Sequence, residues 1–104
     1  MGKVDDKWFK TQGWKEEKYD DTKKVSDYDG YRRRTTIFTK SNKGSHARYD
    51  HVIETYFRNG KTTGRSNFYT FYARGNGFEV RNSVTHRKFT DEQILASLKI
   101  IGLE

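Results

Sequence analysis

The chain has 104 residues, a formal charge of +7, and neither Cys nor Pro, which leaves room for one domain around one core. Without Cys there is no disulfide, thiolate metal site or thiol nucleophile, and a reducing, cytoplasmic setting is expected. No apolar run approaches the roughly 20 residues that a spanning helix needs, so no membrane role is expected.

Residues 1–30 read as a mildly acidic, aromatic leader. They hold seven Lys against eight acids, a net −1. Met1-Gly2 resembles a myristoylation start, but Asp6 stands where that pattern wants Ser or Thr. Trp8, Phe9, Trp14, Tyr19, Val25 and Tyr28 follow no clean period. Gln12-Gly13 can turn a hairpin, or Lys15 to Lys24 can form a helix. Two Trp residues are uncommon in disordered leaders, so the segment is expected to pack on the domain. Asp29-Gly30 reads as a turn.

Residues 31–104 carry fourteen Lys or Arg against six acids, a net +8. Tyr31–Lys40 is rich in β-favouring residues. Asn42-Lys43-Gly44 is a turn, and Ser45–Arg58 alternates apolar and polar positions. Asn59-Gly60 signals a type I′ hairpin. Phe68–Arg74 is an aromatic strand, Gly75-Asn76-Gly77 a turn, and Phe78–His86 a further alternating strand. Thr90 with Gln93 forms a capping box, Phe89 and Ile94 stand at hydrophobic-staple positions, and Ile94, Leu95, Leu98 and Ile101 share one helix face. The expected fold is α+β: an antiparallel β-meander of four strands or more, with one C-terminal helix packed on one face over Ile37, Ile53 and Val80.

Turn lengths set which side chains share a face. A three-residue loop at 42–44, a two-residue loop at 59–60 and a three-residue loop at 75–77 give one consistent register. One face then collects Tyr31, Ile37, Ala47, Tyr49, Ile53, Phe57, Phe68, Tyr72, Phe78, Val80 and Val84 as a core. The other collects Arg32, Arg34, Arg48, Arg65 and Arg81 around Phe38, Tyr56, Tyr69 and Phe71. A different loop length at Asn42 would turn the first strand over and take Arg32 and Arg34 off this face.

Guanidinium groups pair with phosphate and aromatic rings stack on unpaired bases. Arg32, Arg34, Arg48, Arg65 and Arg81, with Tyr69, Phe71 and the loop residue Lys61, are therefore expected to bind RNA or single-stranded DNA. In the alternative, the leader aromatics lie across this second face and Tyr69 and Phe71 become core. A protein-interaction or inhibitor module docking an acidic surface is the second functional reading. The short, Lys- and Tyr-rich, Pro-free composition suits a phage or mobile-element accessory protein of that kind. A metal-independent ribonuclease using His51 or Glu54 beside Arg residues is the third.

No cofactor, metal site or catalytic residue is assigned. Gly60-Lys61-Thr62-Thr63-Gly64 lacks the first Gly of a phosphate-binding loop and runs into a strand. Asp27-Tyr28-Asp29-Gly30 lacks the first and last ligands of a calcium loop. His46 and His51 are five apart on one strand and point to opposite faces. Arg65–Tyr72 has the aromatic content of an RNA-recognition strand without that motif's glycine pattern or element order, so no family is assigned.

Overall fold

A computed structural model describes residues 4–85 and 88–104, with Val84 and Thr85 through their backbone alone. The expected strand at Val84 and beyond therefore reaches past the described side chains, and Met1-Gly2 and His86 lie outside them. The element order is α1 (Asp6–Thr11), β1 (Lys15–Val25), β2 (Tyr28–Asn42), β3 (Ser45–Arg58), β4 (Lys61–Gly75), β5 (Phe78–Thr85) and α2 (Asp91–Ile100). The strands form one antiparallel sheet in the order β1-β2-β3-β4-β5, so every hairpin joins neighbours.

Part of the leader is strand. Lys15–Val25 pairs with β2 from Lys15↔Thr39 to Val25↔Tyr28. Its charges stand on both faces, in the like-sign doublets Glu16-Glu17, Asp20-Asp21 and Lys23-Lys24, so it carries no hydrophobic period. The first turn falls at Ser26-Asp27, and Asp29 and Gly30 belong to β2, correcting the turn expected there. The Asp29 carboxylate instead accepts from the Asn59 backbone N–H, and Arg58 donates to the Asp27 carbonyl, tying the first hairpin's tip to the third's.

The later hairpins share one turn geometry. Lys43 and Gly44, Asn59 and Gly60, and Asn76 and Gly77 all have positive φ, between 46° and 83°. Two consecutive positive-φ residues define the type I′ loop, whose twist matches that of the flanking strands. Two of the three expected loop lengths are therefore corrected: the turns at 43–44 and 76–77 have two residues, with Asn42↔Ser45 and Gly75↔Phe78 closing them. In the remaining hairpin the ladder slips between Tyr56 and Phe57, so that Tyr56 faces Gly64 while Phe57 faces Thr62. Each change moves pairing by one residue, and a one-residue slip exchanges the faces of a strand.

The outcome turns β2 and β4 over relative to the expected register. Phe38, Tyr49 and Phe71 form one cross-strand row, and Ala47 and Ala73 stand beside each other in the next. These five join Val4, Phe9, Trp14, Phe89, Ile94, Leu95, Leu98, Ile101 and Leu103 in the buried cluster. We call this the core side of the sheet. Of the expected core, Tyr31, Ile37, Phe68 and Tyr72 fall on the far side, and Ile53 lies on the core side but outside the cluster. Ile37 thus cannot meet α2 as expected.

α1 supplies the core's centre. Asp5 caps it by accepting from the Trp8 N–H at 2.9 Å. Phe9 is fully buried, stacked on Phe38 at 4.8 Å and Tyr49 at 4.9 Å, with Trp14 edge-on at 4.8 Å. At the other end, Thr90 and Gln93 form the expected capping box. Phe89 packs on Tyr49 and Phe71, each at 6.2 Å. Ser45 Oγ donates to the Ile101 carbonyl at 2.8 Å. Gly75 is required here, because a Cβ would lie 2.5 Å from Ser45 Oγ and 3.2 Å from Ile101 Cβ.

The helices are too short for the sheet. A 15-residue strand spans about 50 Å, close to the 50 Å long axis of the molecule. A 10-residue helix spans about 15 Å. The sheet therefore has a half whose core-side residues join the helices in one cluster, and a half with none in it.

Candidate nucleic-acid interface

On the core side, register arranges the bare half in two rows. Asp20, Arg34, Ile53 and Asn67 form one; Thr22, Arg32, Thr55 and Arg65 form the next. Neighbouring strands lie about 4.8 Å apart and same-face rows about 6.7 Å apart. Arg32 and Arg65 thus flank Thr55, which is buried although both arginines are exposed. Their aliphatic stems can cover it while the guanidinium groups reach water.

The edge of this plateau meets the core. There Thr36, His51 and Tyr69 form a row. The His51 and Tyr69 rings stack at 4.4 Å and 10°, and His51 Nε2–H donates to Asn67 Oδ1 at 3.2 Å. Tyr69 also packs against the core cluster. Its hydroxyl is shifted up, first by burial and then by the nearby Asp6 carboxylate. Beneath it the Tyr49 hydroxyl is buried with no hydrogen-bond partner among the described residues, and burial pushes its pKa well above that of a free phenol.

The charge of the plateau is unbalanced. Arg32 makes a two-pronged pair with Asp20, Nε to Oδ1 at 3.1 Å and Nη2 to Oδ2 at 2.6 Å. That contact, more than the field of Arg34, holds the Asp20 carboxyl below its usual range. Asp20 is the one carboxylate in these two rows against three guanidinium groups. The far side is different. There Lys15 pairs with Glu17 at 3.2 Å, Lys23 with Asp21 at 3.4 Å, Arg48 with Asp50 at 2.7 Å and Arg81 with Glu79 at 3.4 Å. Each pair joins residues two apart on one strand, which share a face.

The expected binding residues are thus divided. Arg32, Arg34, Arg65 and Tyr69 come together on the core side. Arg48 and Arg81 lie on the far side with Tyr72, where the Arg81 guanidinium sits 5.2 Å from the ring centre. Lys61 is exposed beside the third hairpin's turn. Phe71 is 2 % exposed beneath Phe89, so it cannot stack on a base. The expectation of one face holding all five arginines fails because β2 and β4 are both turned over.

Register also brings in Ile53, Asn67 and Thr55, which carry no charge or motif and could have been found only from the correct loop lengths. His51 and Glu54, the two alternatives for a ribonuclease group beside Arg residues, project from opposite faces, and Glu54 accepts from the Tyr31 hydroxyl. Burial, and then that carboxylate, raise the Tyr31 pKa to about 12. No protein-family model, curated protein or solved structure matches the chain. Among the described residues no helix is long and apolar enough to cross a membrane.

Proposed function

We propose that the chain is a cytoplasmic module that binds RNA or single-stranded DNA across the bare half of its core side. In this reading α1 and α2 close one half of that face and leave the other half for the strand. The observation that carries it is the cluster of Arg32, Arg34 and Arg65 around Ile53, Thr55 and Asn67, with Asp20 as the one carboxylate of those two rows and Asp6 at their edge beside Arg34 and Ile53. Arginine pairs with phosphate in two-pronged fashion and stacks on bases. The His51–Tyr69 pair at the plateau's edge offers an aromatic surface for an unpaired base. This is a binding role, with no catalytic group assigned and no cofactor required. The second reading, docking of an acidic protein, draws on the same cations.

Affinity for a mixed-sequence single-stranded RNA, measured at several salt concentrations, tests the proposal. Arg34→Ala and Arg65→Ala should each weaken binding to all sequences and lower the salt slope by roughly 0.7 per lost phosphate contact. Tyr69→Ala should cost about 1–3 kcal/mol of binding with the slope nearly unchanged, provided its melting curve stays cooperative. Arg48→Ala and Arg81→Ala serve as controls and should change little. Equal losses at Arg48 and Arg81 would move the interface to the far side. Absence of salt-dependent binding to RNA and DNA would leave the acidic-protein reading.

A further inference from the structure

The two edges of the sheet are built differently. β1 carries eight charged residues in eleven, and its ladder slips between Lys23 and Val25. Charged side chains and bulges protect an edge strand from pairing with another chain. β5, at the opposite edge, has two charges in eight residues, with no Lys and no Pro. Its outer side faces no further strand among the described residues. On the core side of β5 stands Phe78, 61 % exposed, next to Val80. On the far side stand Glu79 and Arg81, 69 % and 49 % being the side-chain exposures of Arg81 and Glu79.

We propose that β5 is a self-association edge: it pairs antiparallel with β5 of a second copy about a two-fold axis at Val80. The occupant and the register both follow from the charges. A two-fold interface is self-complementary: if residue i meets residue j, then j meets i. In an antiparallel ladder such an axis stands perpendicular to the sheet and passes through one residue pair, each residue facing its own copy. An axis at Glu79 sets two carboxylates face to face, and an axis at Arg81 sets two guanidinium groups face to face. Like charges directly opposite are destabilising. An axis at Asn82 pairs neither charge with the other. An axis at Val80 places each Glu79 opposite the partner's Arg81, twice over. It also sets Val80 against its own copy and brings each Phe78 diagonally next to the partner's Val80, which covers the exposed ring. Diagonal neighbours lie within reach of aromatic side chains. The ladder is short, so the association is weak and concentration-dependent. It does not depend on the nucleic-acid reading.

Charge exchange tests both the interface and its register. Sedimentation velocity on the full chain over a wide concentration range should show a monomer–dimer equilibrium. Glu79→Arg alone, or Arg81→Glu alone, should raise the dissociation constant at least about tenfold, since each sets like charges together. The double exchange should restore dimerisation. An equimolar mixture of the two single variants should form a mixed dimer, because all charge contacts across it are then opposite in sign. That mixed dimer also shows that each variant is folded, and circular dichroism checks the same point independently. A wild type that stays monomeric throughout overturns the proposal. So does a dimer indifferent to the single exchanges, or single variants that remain monomeric both when combined in one chain and when mixed.

Discussion

The covered and bare halves of the sheet use the same strands, yet different forces hold them. In the covered half, Phe38, Tyr49 and Phe71 lie under Phe9 and Phe89, with rings 4.8 to 6.4 Å apart. Each buried aromatic ring there contributes on the order of 1.5–3 kcal/mol. In the bare half the corresponding rows hold Ile53, Thr55 and Asn67, flanked by arginines, and stability comes from the ladder and from cross-strand pairs worth roughly 0.2–1 kcal/mol each. Strands extended beyond what their helices cover keep an ordered backbone without a second layer. Such a surface stays open to solvent, and suits positioned cations better than apolar side chains.

The sharpest test of this contrast is a pair of truncations. Phe9→Ala should cost about 3–5 kcal/mol, because it opens a cavity where Phe38, Tyr49 and Trp14 meet. Ile53→Ala, in the bare half, should cost under about 1.5 kcal/mol, since half-exposed positions lose less apolar burial. Chemical denaturation of both variants measures the difference. Comparable losses would mean that the bare half has a core of its own.

A smaller effect of opposite sign is expected at Tyr49. Its hydroxyl is buried and unpartnered among the described residues, so Tyr49→Phe should stabilise the fold by about 1 kcal/mol. A raised melting temperature checks this, and a lowered one would reveal a partner for the hydroxyl.

A pH-dependent effect belongs to the bare half's far side. Tyr31 titrates at about 12 in the fold, against about 10 in an unfolded chain. The folded pKa is the higher one, so the fold holds the proton more tightly. Tyr31's contribution is therefore complete below pH 10 and lost as pH rises toward 12. Thermal melts of wild type and Tyr31→Phe between pH 8 and 12 should converge at the alkaline end, with the gap closing above pH 10. A gap independent of pH would assign the effect to packing, including the Tyr31–Tyr56 contact at 5.2 Å.

Much of the fold was legible in local chemistry. The β3, β4 and β5 strands, the turn sites near 43–44, 59–60 and 76–77, the Thr90–Gln93 capping box and the concentration of positive charge after residue 30 follow from residue types and short spacings. The Asn76-Gly77 turn carried the same dipeptide as Asn59-Gly60, and the flanking Gly75 disguised its length. Gly75 serves a tertiary purpose, since only a residue without Cβ admits Ser45 and Ile101 beside it.

The faces of β2 and β4 were not legible in this way, and the candidate site depends on them. Ile37 precedes Phe38, Phe68 precedes Tyr69, and Phe71 precedes Tyr72, so both strands present bulky apolar groups on both sides and no period-two pattern selects one. The choice is made over long range. Phe9, Trp14 and Phe89 pack on the side of Phe38 and Phe71, while Ile37, itself buried, and Tyr72 stand on the other side. The slip at Tyr56 and Phe57 then carries β4 into line with β3. The sequence by itself determined the three later turn sites, strands in β2 to β5, the capped helix and the basic charge, because each is set by neighbours a few residues apart; β1, the first turn and two of the loop lengths were not among them. Only the tertiary structure decided that Arg32, Arg34 and Arg65 share one surface while Arg48 and Arg81 share the other, because a shift of one residue in a ladder inverts a whole strand.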